Sequence, residues 1–371
     1  MIKNMSMINI LPLKEQLPLK LRSIYEQFGY KKYRMDKFEP YDMYMENKSF
    51  LKYDGIITFT NPNGRLMALK PDVTMSIVKN TGDREESSKL YYNENVFRLQ
   101  AGASEYSEIN QIGLEFIGGD SRYSQAEVVL LALRSLEAVS DEYILNIAHM
   151  GFAEALLDYS GIKNGNKEEC LSLIKQKNMH GLYDFAERYG IPAERINAVT
   201  AIIGLSGGFE KVLADLAGLA YNADMTKAVE ELRELYEAVS RTGLGSRLRL
   251  DFSVTDDPDY YNGIVFQGYI PNTPRAVLCG GRYDNLMRRF GKVQNAVGFA
   301  LYLGELTGAL NNTEEFDADL LLVYGDASSV RVVEAVELLK KEYNSIRAEK
   351  TLPAGIKARK TIYISEVIEN A

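Results

Sequence analysis

Apolar positions follow two rhythms along the first 140 residues. Leu17, Leu19, Leu21, Ile24, Tyr25 and Phe28 crowd one broad side of a helical wheel, so residues 10–30 are predicted to be helical, with Gly29 as the stop. The period then shortens. Ile56-Ile57-Thr58-Phe59-Thr60 leads into the turn sequence Asn61-Pro62-Asn63-Gly64, and Arg65-Leu66-Met67-Ala68-Leu69 returns, which predicts a hairpin followed by a helix over 72–80. Residues 89–100 and 108–118 read as a second antiparallel pair, joined through Ala101-Gly102-Ala103-Ser104-Glu105. In its second strand Ile112, Leu114 and Phe116 fall on one face and Gln111, Gly113 and Glu115 on the other. An amide and a carboxylate on the polar face suit a pocket floor, or else a solvated outer surface. Residues 124–139 are predicted to form an amphipathic helix covering the sheet.

From about 155 to 245 the texture becomes helical with no convincing strand, and Phe209 to Ser240 is rich in Ala, Leu, Glu and Lys at helical spacing. Sheet texture returns at Leu248-Arg249-Leu250-Asp251-Phe252 and runs to about 270, followed by a short strand at 276–279 and a helix at 283–290. Near the end, the buried-strand run Leu320-Leu321-Leu322-Val323-Tyr324-Gly325 precedes a helix over Val330–Tyr343 with Ser329 as N-cap. A final strand at Thr361-Ile362-Tyr363-Ile364 completes a small βαβ-like unit.

Bulk properties narrow the function classes. With 371 residues, 46% apolar and 25% charged, the chain has the balance of an ordinary multidomain globular protein. No apolar run approaches the roughly 18 residues of a membrane span. Met1-Ile2-Lys3-Asn4-Met5 leads into the first amphipathic pattern without a signal h-region, so a cytoplasmic location is expected. Cys170 and Cys279 are far apart and form neither a disulfide framework nor a metal motif. His149 and His180 are the only histidines, too few for a metal cluster or a Ser-His-Asp centre, and both read as structural or surface residues. The net charge of −8 weighs against binding of bare nucleic acid.

Four segments carry chemistry. They are Leu69-Lys70-Pro71-Asp72-Val73-Thr74; Val96-Phe97-Arg98 with Gln111-Ile112-Gly113-Leu114-Glu115; Asp259-Tyr260-Tyr261-Asn262; and Gly280-Gly281-Arg282-Tyr283-Asp284. In this order they resemble the catalytic core of histidyl-tRNA synthetases over roughly residues 10–150 and 246–306. The resemblance implies that Asp72 and Thr74 hold an amino group, that Arg98 meets a carboxylate or phosphate, and that Gln111, Glu115, Tyr260 and Tyr261 complete a histidine pocket. Elementary chemistry agrees. An amino acid needs an anion for its ammonium and a cation for its carboxylate, and an imidazole needs a hydrogen-bonding partner at each ring nitrogen and flat surface around it.

The departures lie on the nucleotide side. An arginine three residues before Asp-Tyr-Tyr-Asn, acting in adenylation, is replaced by Asp256. The strand Ala296-Val297-Gly298-Phe299-Ala300 continues into Leu303-Gly304-Glu305-Leu306, so Glu305 stands where the family's ATP-holding arginine would be. Gln100 replaces a glutamate, and Asp36 a proline of the dimer-forming motif. No Lys or Arg lies between Arg249 and Arg275 or between Lys292 and Arg331, so no shift of register restores either arginine. Replacing a cation by an anion about 4 Å from a phosphate reverses roughly 4 kcal/mol per charge pair at an effective dielectric of 20. A magnesium ion on Asp256 or Glu305 could offset only part of that.

A retained amino-acid pocket without nucleotide cations resembles the regulatory subunit of ATP phosphoribosyltransferase, a synthetase paralogue. That resemblance implies a non-catalytic histidine sensor with no cofactor and no bound metal. It further implies a short-form catalytic subunit as partner, a self-dimer within a hetero-octamer, L-histidine as ligand, and no binding of tRNA or membrane. The expected fold is α+β, a class II aminoacyl-tRNA synthetase-like, mainly antiparallel sheet flanked by helices. The expected domains are a core at 1–154 and 246–312, a helical insertion at 155–245 and a small C-terminal α/β unit at 313–371. An active histidyl-tRNA synthetase and a ligand-free interaction scaffold are the alternatives.

Overall fold

The computed structural model describes residues 13–47, 55–82, 86–99, 104–254, 260–306 and 316–368. Asp256, Asp259 and Gln100 lie outside the described residues. The elements run, in chain order, α1 (Leu13–Gln27), β1 (Lys31–Lys32), β2 (Phe38–Pro40), α2 (Asp42–Glu46), β3 (Thr58–Thr60), β4 (Leu66–Leu69), α3 (Thr74–Asn80), β5 (Ser88–Leu99), β6 (Tyr106–Ile117), α4 (Ser121–Glu137), β7 (Ile144–His149), α5 (Met150–Tyr159), α6 (Asn164–Lys175), α7 (Met179–Tyr189), α8 (Ala193–Gly204), β8 (Ser206–Gly208), α9 (Phe209–Ala217), α10 (Ala223–Ser240), β9 (Leu248–Asp251), β10 (Ile264–Tyr269), β11 (Leu278–Arg282), α11 (Asp284–Arg289), β12 (Ala296–Tyr302), β13 (Ala318–Val323), α12 (Ser329–Leu339), β14 (Ile346–Glu349), β15 (Ala358–Tyr363) and α13 (Ile364–Ile368). Two compact units divide the chain, a larger one over Leu17–Thr307 and a smaller one containing Gly308–Ala371.

In the larger unit, nine strands among the described residues form one sheet in the order β1-β5-β6-β12-β11-β10-β7-β9-β8. Its centre is antiparallel, while β1 with β5 and β7 with β9 run parallel, so the α+β expectation holds as a mixed, mainly antiparallel sheet. One face carries Ile112, Leu114, Phe116, Phe299 and Phe266, all buried. On this side Tyr25 of α1 sets its ring against Tyr91 and Phe299 and bonds its hydroxyl to Ser135 of α4 at 2.8 Å. The Asp120 carboxylate caps α4 by accepting from the backbone N–H groups of Arg122 and Tyr123. The other face carries Tyr92, Gln111, Gly113 and Glu115, and the functional side chains rise from it.

Residues 155–245 fall within the larger unit. They are helical, as expected, apart from β8, a three-residue strand that pairs with β9 and corrects the reading of no strand there. Its Ser-Gly-Gly sequence has almost no β-propensity, and tertiary pairing alone holds it. His149 caps α5. Its Nδ1 accepts from the Phe152 N–H, which leaves Nε2 to donate to Glu231 of α10 at 3.2 Å. No described helix is long and apolar enough to cross a membrane.

The smaller unit is a three-stranded parallel sheet in the order β14-β13-β15, with Leu320, Leu322 and Ile362 packed on Ala335 and Leu339 of α12. The helix starts one residue earlier than expected. Ser328, not Ser329, occupies the N-cap, and its side chain makes no capping bond.

Candidate functional site

The site begins with the alternation on β5 and β6. Register pairs Tyr92 with Gly113, Glu94 with Gln111 and Leu90 with Glu115, so these residues share one face, and Arg98 lies on it two pairs beyond Val96. On the next strand Gly298 lies opposite Glu115 and Tyr302 opposite Gln111. Gln111 and Glu115 are 4% and 2% exposed, which excludes a solvated outer surface here.

Glu115 is the centre of the arrangement. Its Oε1 accepts from the Thr74 hydroxyl at 2.8 Å and its Oε2 from the Tyr283 hydroxyl at 2.6 Å. Burial pushes the carboxyl up to about 8, the nearby charge of Asp72 adds to that, and the two hydroxyl donors oppose it. The carboxylate lies flat on the sheet because position 298 has no side chain: a Cβ there would sit 1.7 Å from Oε2. Gly281 makes the same kind of room for the Tyr261 ring, whose edge would meet a Cβ at 2.7 Å. These glycines are dictated by close approach of pocket groups, not by turn geometry.

Asp72 and Thr74 come from the start of α3. The Asp72 Oδ1 accepts from the Met75 N–H at 2.9 Å, while Oδ2 faces the Arg98 guanidinium at 4.0 Å. Arg98 also reaches the Pro71 carbonyl at 3.5 Å and lies within electrostatic reach of the Tyr302 hydroxyl. Tyr260 packs against Tyr261 with ring centroids 4.6 Å apart. Burial, then the charges of Asp72 and Glu115, drive its hydroxyl well above the usual range, so it remains a neutral donor. All seven sequence-predicted residues, Asp72, Thr74, Arg98, Gln111, Glu115, Tyr260 and Tyr261, therefore converge on one face.

Two supports hold this cluster. Asn262 and Asp284 join the two tyrosine signatures: Asn262 donates to the Asp284 Oδ2 at 3.1 Å, and its Oδ1 accepts from the Asp284 N–H at 2.9 Å. Arg282 reaches the same Oδ2 at 2.7 Å, and Oδ1 accepts from the Ala296 N–H. Beneath α3, Lys70 is 3% exposed and pairs with Glu94. The segment is thus pinned to β5, aided by the Phe97 N–H donating to the Lys70 carbonyl.

Sequence reasoning missed Tyr92, Glu94, Tyr283 and Tyr302. Counting back from Arg98 by twos finds Glu94 and Tyr92. Tyr283 stood inside a quoted signature with no role assigned to it. Arginines could not be placed at the positions of Asp256 and Glu305. Of these two, Glu305 is described, and it lies partly buried in a short 3-10 helix directly after β12.

Residues 13–306 match the protein family described as Histidyl-tRNA synthetase. A curated relative, the ATP phosphoribosyltransferase regulatory subunit of Ruminiclostridium cellulolyticum, is 26% identical over 339 residues, covering 89% of this chain and 81% of its own. Among solved structures, an ATP phosphoribosyltransferase regulatory subunit/histidyl-tRNA synthetase from Bacillus halodurans C superposes with a TM-score of 0.76 at 23% identity, over 95% of this chain and 93% of the other. A chain of the ATP phosphoribosyl transferase (HisG:HisZ) complex from Thermotoga maritima superposes with a TM-score of 0.62 at 20% identity, over 78% of this chain and 97% of the other.

Proposed function

The chain belongs to the histidyl-tRNA synthetase family, and from that premise we propose that it is a non-catalytic regulatory subunit of ATP phosphoribosyltransferase, the transferase that opens histidine biosynthesis. It binds L-histidine on the sheet and carries feedback inhibition to a short-form catalytic subunit, as a dimer within a hetero-octamer. Asp72 and Thr74 receive the ammonium, Arg98 the carboxylate, and Glu115, Tyr260 and Tyr261 the imidazole, over a floor that includes Gln111.

One observation carries the reading. Asp72 and Arg98 supply both signs of charge on one face of the sheet, and the strand β12 on that face runs on into Glu305, with no Lys or Arg between Lys292 and Arg331. A synthetase must neutralise a triphosphate there, and an anion works against that. A sensor needs only the amino-acid half. The names of the relatives support the assignment to the transferase complex. Feedback also requires that histidine bind two quaternary states with different affinity, because equal affinity shifts nothing.

Calorimetry on the purified chain tests the reading. L-histidine is expected to bind with one site per chain and Mg-ATP not at all, and ATP–pyrophosphate exchange with histidine should stay at background. Exchange above background would return the chain to the synthetases. Silence toward both ligands would make it a scaffold.

A further inference from the structure

Along β12 the pocket-facing positions read Ala296, Gly298, Ala300 and Tyr302. The matching positions on the neighbouring strands are also small. Gly113 of β6 lies opposite Ala300, Gly281 of β11 lies opposite Gly298, and Cys279 lies opposite Ala300. Glu115, Tyr261 and Tyr92 lie over these glycines, and Tyr302 is the first large side chain that β12 itself raises on this face. Its ring stands next to Gln111 in the register, and the Arg98 guanidinium and Asp72 carboxylate both lie within electrostatic reach of its hydroxyl. Arg98 is the group assigned to the ligand's carboxylate. A carboxylate seated on Arg98 therefore has the Tyr302 phenol as its neighbour on the sheet.

From this geometry we propose that Tyr302 is the size-limiting wall of the pocket on the carboxylate side. It admits an amino acid whose carboxyl group is free or carries a small substituent, and it refuses one whose carboxyl carries a bulky group. The inference rests on the histidine-binding reading above and adds a selectivity to it. Discrimination here comes from a steric barrier against the larger ligand, not from extra contacts to the smaller one.

Three probes separate size from charge: L-histidine, L-histidinamide, which lacks the carboxylate but has the same length, and L-histidine β-naphthylamide, which lacks it and is extended. The unsubstituted full chain should bind histidine best and histidinamide more weakly. It should bind the naphthylamide worse than histidinamide by more than about 100-fold, the equivalent of two decades in Kd. Tyr302→Ala should bring the naphthylamide to within about threefold of histidinamide, a gain set by removal of the clash. Tyr302→Phe keeps the ring and should still refuse it, which separates the wall from any role of the hydroxyl. Naphthylamide binding to the unsubstituted chain at the level of histidinamide overturns the wall while leaving the histidine site intact, and this comparison needs no variant to fold. Continued refusal by folded Tyr302→Ala also overturns it. Failure of histidine itself to bind the unsubstituted chain overturns the proposed function and this inference together.

Discussion

Glu115→Gln is expected to stabilise the protein at pH 9 while removing most of its affinity for histidine. The carboxyl ionises near 4.5 in an unfolded chain and near 8 in the fold, chiefly because it is buried. Between those values the native state holds the proton and the unfolded state does not. The sign follows from the linkage between proton binding and folding. The stabilising contribution is complete below the unfolded value, shrinks as pH rises, and is gone above about 8, a ceiling on the order of 5 kcal/mol for a shift of this size. Glutamine cannot ionise, so it escapes that loss. It is also the neutral shape that the protonated acid already has, with its carbonyl accepting from Tyr283 and its amide turned to the Thr74 oxygen. Thermal melts should therefore find the variant level with the parent near pH 5 and ahead of it at pH 9. Binding moves the other way. The ligand's imidazole takes the proton from Glu115, and the resulting imidazolium–carboxylate pair gains a charge-assisted bond worth about 2–3 kcal/mol, so histidine affinity should fall by about 30- to 150-fold in the variant. A stability difference that stays flat from pH 5 to pH 9 would remove the buried acid from this account.

Lys70→Met should be among the most destabilising single substitutions in the larger unit. Lys70 is 3% exposed, and its partner Glu94 keeps only 15% of its side chain accessible. Removing the lysine strands a carboxylate in a dry place, which typically costs about 3–5 kcal/mol. Against a total stability of roughly 5–15 kcal/mol for a folded domain, that is a large share. Urea denaturation should register it as a lower midpoint with little change of slope. The double variant Lys70→Met/Glu94→Leu should recover most of the loss, because the cost lies in the unpaired charge and not in the absence of the pair. Histidine affinity should fall in the single variant as well, since Lys70 anchors the segment that presents Asp72 and Thr74. A loss under about 1 kcal/mol would mean that Glu94 finds water or another donor once the lysine is gone.

What the sequence disclosed and what it hid follow from where each signal resides. The alternation in Gln111–Phe116 predicted β6 and its two faces, because a twelve-residue strand repeats its period often enough to be read. Strand β8 has three residues and β1 two, and no period can be seen in so few. The reading of 276–279 as a strand stopped at Cys279, whereas β11 runs on through Gly280 and Gly281 to Arg282. Glycines argue against a strand by propensity, and here they are present so that Tyr261 and Phe299 can lie close to the backbone. The seven residues that the fold gathers on one face were legible because each bears a functional group in a recognisable segment. Tyr302 and Tyr283 were not, because an aromatic reads first as packing, and only the assembled fold sets Tyr302 beside Gln111 and the Tyr283 hydroxyl on Glu115. The protonation of Glu115 was hidden for the same reason. Desolvation belongs to the assembled fold, not to any residue's neighbours in sequence.

The central claim is that histidine held on Glu115 and Arg98 is what a catalytic partner senses. It is tested most directly by the rate of phosphoribosyl transfer in a complex reconstituted from this chain and a short-form catalytic subunit, with and without L-histidine. The account predicts that the chain raises the basal rate, that histidine lowers it, and that a complex carrying Glu115→Gln keeps the raised rate while losing most of the histidine response. Histidine inhibition of equal potency in the Glu115→Gln complex would contradict it.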